Sequence, residues 1–291
     1  MALREQYEEH SERDFLPTPL ATYHFETVVV PLHWHREVEW MYTQKGGLIE
    51  IEGQNYQYEP GDVVCVNREL LHRTTQENPV LLADLLVLDL NILVSPLLGQ
   101  ERGLFLNRLN KGSLLFPLRL GKEAPGHSEI VWAFEKCVAL IRAKEPGWEF
   151  SLERELLTML EAYWQNGHLL ETKTFPSNAQ TQAVKESIAF MRRSLGQDLT
   201  LRQLADQAAL SPSHYIRVFR RYTGQTPFAF LNDLRIEEAA RCLRQAMTVS
   251  ETAQRVGVPN LSYFIRLFRE KYGKTPKQYQ LEQTGERDRD I

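Results

Sequence analysis

Short runs of apolar residues interspersed with polar ones, rich in strand-forming types, fill positions 20–90: TYHFETVVVPLHWH, EVEWMYTQ, GLIEIEG, QNYQYEPGD and VVCVNRE. Turn signals part them at Lys45-Gly46-Gly47, Glu52-Gly53-Gln54-Asn55 and Pro60-Gly61-Asp62. Many short strands with regular turns predict an antiparallel β-barrel or jelly roll. The period then changes. Ile130, Phe134, Cys137, Val138 and Ile141 share one helical face, and Leu152, Leu156, Leu157, Leu160 and Trp164 another, which predicts a helical pair over 127–168. Residues 169–182 turn polar and read as a linker. A helix over 183–195 opens an all-helical remainder to about 283, followed by a polar tail, 284–291. The expected fold class is multidomain α+β: a β-barrel with a helical pair over 1–168, then an all-α domain over 183–283.

Within the all-α part the pattern occurs twice. The first copy, LTLRQLADQAALSPSHYIRVFRRYTGQTP, runs over 199–227; the second, MTVSETAQRVGVPNLSYFIRLFREKYGKTP, over 247–276. Each parses as two helices around a short turn. Leu201, Leu204, Ala205 and Ala208 stripe the first helix, and Tyr215, Val218, Phe219 and Tyr222 the second, with Ser211 as expected N-cap, Pro212 in the first helical position and Gly224 as C-cap. In the second copy Thr248 caps a helix that Gly257 ends, and Phe264, Leu267 and Phe268 line the helix before Gly273. Residues 227–246, joining the copies, fit one long amphipathic helix through Leu231, Leu234, Ile236, Ala239, Ala240 and Leu243.

A helix–turn–helix places its second helix in a DNA major groove. Subtracting the buried stripe leaves Ser213, His214, Arg217, Arg220 and Arg221 facing out in the first copy. In the second it leaves Asn260, Ser262, Tyr263, Arg266, Arg269 and Lys271. Arginine can bond guanine edges bidentately and asparagine adenine, while hydroxyls and helix-end cations suit phosphate. A spacing of about 34 Å would bring both second helices into successive grooves.

Charge agrees. The net charge of −4 hides 16 basic against 26 acidic residues over 1–182, and 18 against 12 over 183–291. A basic last third beside an acidic remainder points to a polyanion-binding module attached to something else. The 291 residues suffice for about two domains. A hydrophobic fraction of 43% with 25% charged residues excludes a disordered chain. No apolar run reaches the roughly 18 residues of a membrane span; the longest, 80–90, contains Asp84 and Asp89. The first residues are acidic and lack the apolar core of a signal peptide. Cys65, Cys137 and Cys242 are far apart and odd in number, which argues for a reducing compartment and against a disulfide framework or zinc finger. A cytoplasmic protein with no membrane partner is expected.

The stretch over 183–280 resembles the tandem helix-turn-helix domain of the AraC/XylS family of transcriptional regulators, most closely in SYFIRLFREKYGKTPKQY; Gly257-Val258 stands where the family more often has Gly-Phe. The resemblance implies double-stranded promoter DNA as partner. It makes Ser213, His214, Arg217, Asn260, Ser262 and Arg266 the base-facing candidates, with Arg220, Tyr263 and Arg269 beside them. It also implies contact with RNA polymerase, activation rather than repression, and a homodimer formed through the helical pair.

In HWHREVEWMYTQKG, His33, His35 and Glu39 share odd parity, so a continuous strand would face them to one side and Trp34, Val38 and Trp40 to the other. His72 follows a later strand. This resembles the cupin fold, whose first motif spacing is met by His33, His35, Glu39 and Gly46, with Pro60-Gly61-Asp62 and His72 for the second; Thr27 replaces a usual glycine, and the second motif is irregular. Three histidines and a carboxylate could hold a divalent transition metal. The same groups could instead bond a small polar effector such as a carbohydrate, flanked by Tyr23, Trp40 and Tyr42. Some could be satisfied polar residues with no ligand. Attachment to a DNA-binding domain favours an effector-controlled regulator that is not an enzyme. The alternative is a metal-dependent cupin enzyme carrying a DNA-binding domain. No Ser-His-Asp, phosphate-loop or dinucleotide signature supports another enzyme class.

Overall fold

A computed structural model describes residues 20–74, 79–93, 100–172 and 179–287. The expected linker and tail lie partly outside the described residues, at 173–178 and 288–291. Two compact units result, 1–178 and 179–291.

In the first unit, β1 (Leu20–Val28), β2 (Val38–Thr43), β5 (Val63–Val66), β7 (Val80–Leu88) and β9 (Arg119–Leu120) form an antiparallel sheet in the order β1-β7-β2-β5-β9. A second sheet, β4-β3-β6, joins β3 (Gly47–Ile51), β4 (Gln54–Tyr58) and β6 (His72–Arg73). The pair β8 (Leu114–Leu115) and β10 (Leu170–Glu171) makes a third. The expected closed barrel is therefore corrected to separate antiparallel sheets, none of which closes among the described residues.

The reason lies in the strands. Along β2 and β5, neighbouring residues enter different cores. Met41, Val64 and Val66 meet Ile49, Ile51 and Tyr58 of the small sheet. Val38, Trp40, Val63 and Cys65 meet Ile130, Phe134, Leu156 and Tyr163 of two helices, α2 (His127–Ala143) and α3 (Trp148–Gln165). A sheet apolar on both faces needs a layer on each side. The helical pair supplies one layer. The helix α1 (Gln100–Asn110) adds Leu106 and Leu109 to it.

The second unit is all helix: α4 (Ala179–Arg193), α5 (Leu201–Gln207), α6 (Pro212–Thr223), α7 (Pro227–Arg244), α8 (Val249–Arg255), α9 (Leu261–Tyr272) and α10 (Pro276–Arg287). Thr200 with Gln203, and Thr248 with Glu251, close matching capping boxes at the starts of α5 and α8. Ser211 sits at the cap of α6 without its hydroxyl making the capping bond. Gly224 and Gly273 end α6 and α9 at φ 75° and 73°. The turn inside each copy also needs a left-handed residue: Gly257 at φ 75° in the second, Ala209 at φ 52° in the first. A Cβ on Gly257 would fall 2.6 Å from the carbonyl oxygen of Leu195. The long helix α7 touches α6, α8, α9 and α10. Its Ile236, Ala239, Ala240 and Leu243 pack with Ala253, Val256, Phe264 and Phe268. No helix among the described residues is long and apolar enough to cross a membrane.

Candidate functional site

The second helices of the two copies, α6 and α9, bury Tyr215, Val218, Phe219 and Tyr222 in one case, and Phe264 and Phe268 in the other. That burial turns the remaining positions outward. Ser213, Arg217 and Arg220 are exposed and His214 is partly so; Asn260, Ser262, Tyr263, Arg266 and Arg269 are exposed.

The two faces are not equivalent. Among the described residues, no hydrogen bond or ion pair holds the side chains of Arg217 and Arg220. On α9, Arg266 bonds Glu270 through Nη1–Oε1 at 2.8 Å and lies 5.1 Å from the centre of the Tyr263 ring. The Tyr263 hydroxyl accepts from Asn232 of α7 at 3.0 Å. Lys271 is tied to Glu237 of α7 at 2.6 Å. Asn260 Oδ1 caps its own helix by accepting from the Tyr263 N–H at 3.0 Å. One lone pair of that oxygen and the amide N–H groups remain for the adenine contact expected of Asn260. Glu270, which holds Arg266, and Asn232, which holds the Tyr263 hydroxyl, were not among the expected residues. An acidic residue four positions after Arg266 was the signal for the first.

In the first unit, His33, His35, Glu39 and His72 come together, with one ligand-type atom from each, all within 4.8 Å of one another. Strand parity is not the cause. β2 begins only at Val38, and both early histidines lie in the approach to it. His33 is instead fixed by an isolated bridge to His72, with N–H to carbonyl distances of 3.1 and 3.0 Å, while the Glu69 N–H donates to the His35 carbonyl at 2.8 Å. The His33 and His72 rings sit 4.0 Å apart.

Each imidazole is oriented from behind. His33 Nδ1 lies 3.0 Å from the Pro31 carbonyl, His35 Nδ1 3.1 Å from that of Glu37, and His72 Nδ1 2.8 Å from that of Leu70. A carbonyl only accepts, so these three nitrogens carry the protons and the Nε2 atoms turn inward. His35 Nε2 is 3.2 Å from Glu39 Oε2 and His72 Nε2 is 3.7 Å from it. Burial and the two neighbouring histidines hold His33 well below the usual histidine range. Burial also pulls His35 down, but its bond to Glu39 and that carboxylate's charge outweigh it and raise the group. Burial alone would raise Glu39; contacts from His35 and His72 hold it well below the usual carboxylate range.

The aromatic flank is not where it was expected. Trp40 is fully buried among the helices, with its ring 5.0 Å from Phe116, and Tyr42 packs 6.2 Å from Phe134. Both lie on the sheet face opposite Glu39, because successive strand residues alternate. Tyr23 packs against the core between the sheets. Asp62 is buried at the β4–β5 turn, paired with Arg119, and contributes nothing to the histidine cluster.

A sheet unit with an inward-facing polar cluster and a helical unit with a doubled helix–turn–helix together define a ligand-binding, DNA-binding class of protein. Two family models match accordingly: a helix-turn-helix domain over residues 204–282 and an AraC-like ligand binding domain over 20–81. The chain belongs to the AraC family of helix-turn-helix transcriptional regulators, with an N-terminal AraC-like ligand-binding domain. It is similar to an uncharacterized helix-turn-helix-type transcriptional regulator, YobQ, of Bacillus subtilis (strain 168): 35% identical over 94 residues, 32% of this chain and 39% of that one. It is also similar to the xylose operon regulatory protein of Escherichia coli (strain K12), 28% identical over 98 residues, 33% of this chain and 25% of that one. These matches span less than half the length of either relative. Among solved structures it resembles the DNA-binding domain of AdpA, a global transcriptional factor, in complex with a target DNA: 27% identity, 36% of this chain and 96% of that chain, TM-score 0.35.

Proposed function

We propose that this protein is a sequence-specific transcriptional regulator whose C-terminal unit binds promoter DNA and whose N-terminal unit takes up an effector. The observation that carries the reading is the outward guanidinium pair Arg217 and Arg220 on α6, both exposed, with the exposed Arg266 and Arg269 at the matching positions of α9. In this reading Ser213, His214 and Arg217 read bases on one half-site. Asn260, Ser262 and Arg266 read the other, and Arg220, Tyr263 and Arg269 position the backbone. Exposed Trp132, Phe150 and Trp164 on α2 and α3 support a homodimer through that pair. Activation by contact with RNA polymerase, in the cytoplasm, follows from the family resemblance. Effector binding acts only if it favours one DNA-binding state over the other.

Selection of bound duplexes from a random pool, followed by anisotropy titration at fixed salt, tests the reading. A shared motif with two half-sites about one turn apart is expected. Equal affinity for all duplexes would refute it. A small polar effector such as a carbohydrate would find Tyr23 on the Glu39 side of the sheet, with Trp40 and Tyr42 on the far face. The four-residue cluster also admits a second reading, a metal-dependent cupin-type enzyme, which would need turnover of a substrate.

A further inference from the structure

We infer that Ile216 on α6 and Ile265 on α9 each read the 5-methyl group of a thymine, so that both half-sites carry a thymine close to the base taken by the neighbouring arginine. The inference rests on the DNA-binding reading proposed above, which names no apolar reader.

Position is the first observation. The stretches IRVFRR and IRLFRE put the same branched residue directly before Arg217 and Arg266. Residues three and four apart are neighbours on a helix surface. Ile216 therefore borders Ser213 and Arg220, and Ile265 borders Ser262 and Arg269, all four of them exposed. Neither isoleucine is buried as Tyr215, Phe219, Phe264 and Phe268 are. Ile265 packs on one side against the core shared with α7 and α8 and keeps part of its surface open. Each copy thus sets an apolar step among its outward polar side chains. On α9 Leu261, 42% exposed and one turn earlier, extends the step toward the end of the helix that contacts base edges.

Helix stability does not account for the choice. Branched side chains lose rotamer freedom in a helix and form helices less well than leucine or alanine. The same stiffness fixes their methyl groups in one direction, so little freedom is lost when a partner arrives. The major groove offers one matching partner. Thymine shows a 5-methyl group there, whereas guanine, adenine and cytosine show only hydrogen-bond donors and acceptors. An isoleucine set against those would leave their polar atoms dry and unpaired. Set against thymine, it takes one methyl out of water, worth about fourfold in affinity.

The test uses the full chain and a duplex selected from a random pool. Each thymine of the two half-sites is replaced in turn by deoxyuridine, which deletes the methyl and keeps every hydrogen-bonding atom of the pair. In anisotropy titrations at fixed salt, one such replacement in each half-site should weaken binding by about fourfold. Ile216→Ser should abolish that loss in one half-site and Ile265→Ser in the other, while Ile216→Val and Ile265→Val retain it. Thermal melts followed by circular dichroism check the serine variants, and the deoxyuridine series is decisive on the unmutated protein alone. Half-sites that share no thymine, deoxyuridine tolerated at every position, or losses undiminished in folded serine variants overturn the inference and leave sequence-specific binding standing. Equal affinity for all duplexes overturns both.

Discussion

Replacing Arg217 by alanine removes a guanidinium that no hydrogen bond or ion pair holds among the described residues, whereas replacing Arg266 removes one already engaged by Glu270 and Tyr263. A bidentate guanine contact is worth about 1–3 kcal/mol, or roughly five- to 150-fold in affinity. Arg217 can contribute that in full. Arg266 must first exchange Glu270, and an exposed pair four residues apart on a helix is worth about 0.3–0.5 kcal/mol. The Glu270 carboxylate then also faces the phosphates. Arg217→Ala should therefore weaken specific binding by more than Arg266→Ala. Glu270→Gln should strengthen binding to all sequences and steepen the salt dependence by up to one released counterion, a slope change of about 0.9. In the Arg266→Ala background the Glu270→Gln gain should persist only in its phosphate part, because the pair no longer exists. The assay is anisotropy over a salt series on specific and scrambled duplexes, with the four proteins of the double-mutant cycle. A larger loss for Arg266→Ala than for Arg217→Ala, or a loss on Glu270→Gln, would refute the assignment of unequal roles.

Three further outcomes are expected. Trp40→Ala should destabilise the N-terminal unit by about 3–5 kcal/mol in denaturant melts, as truncation of a fully buried aromatic does, and a near-neutral result would contradict its place in the helical core. Gly257→Ala should destabilise the C-terminal unit through its positive φ and the Leu195 carbonyl, while Ala209→Gly at φ 52° should be neutral or stabilising by up to about 1 kcal/mol; the opposite ordering of melting temperatures would be fatal to this account. Burial pushes Tyr215 up to about 12, with its 2.5 Å contact to Ser187 pulling the other way. The unfolded tyrosine ionises near 10, so the folded state keeps a proton that the unfolded state loses. Stability is whole below pH 10 and declines as pH rises toward 12. Tyr215→Phe should flatten that decline.

The C-terminal unit was largely legible because its signals are local and occur twice. Tyr215, Phe219, Phe264 and Phe268 mark the buried stripe, Thr200 and Thr248 the caps, Gly224 and Gly273 the ends, and each sits where period and residue preference put it. What the side chains do to one another was less legible. That Asn260 also caps α9 follows from its place directly before that helix. In the sheet unit the histidine set was found by spacing, although a loop and a bridge to His72, rather than strand parity, assemble it. Short strands with regular turns point to a closed barrel as readily as to stacked open sheets. Trp40 and Cys65 show that the second face is dry as well, once distant helices cover it. α1 went unrecognised: QERGLFLNRLN has Gly103 inside it and only a thin apolar stripe.

The contact between Gly257 and the Leu195 carbonyl has a consequence for the DNA. Arg235 of α7 grips the same stretch, at the carbonyls of Leu195 and Gln197, so the two reading modules are welded together rather than tethered. A welded pair cannot follow a duplex whose half-sites are moved. One inserted base pair turns the second groove by about 35° and shifts it about 3.4 Å. On the proposed reading, the protein would gauge helical phase as strictly as sequence, and an operator carrying both correct half-sites at the wrong spacing would be to it only half an operator.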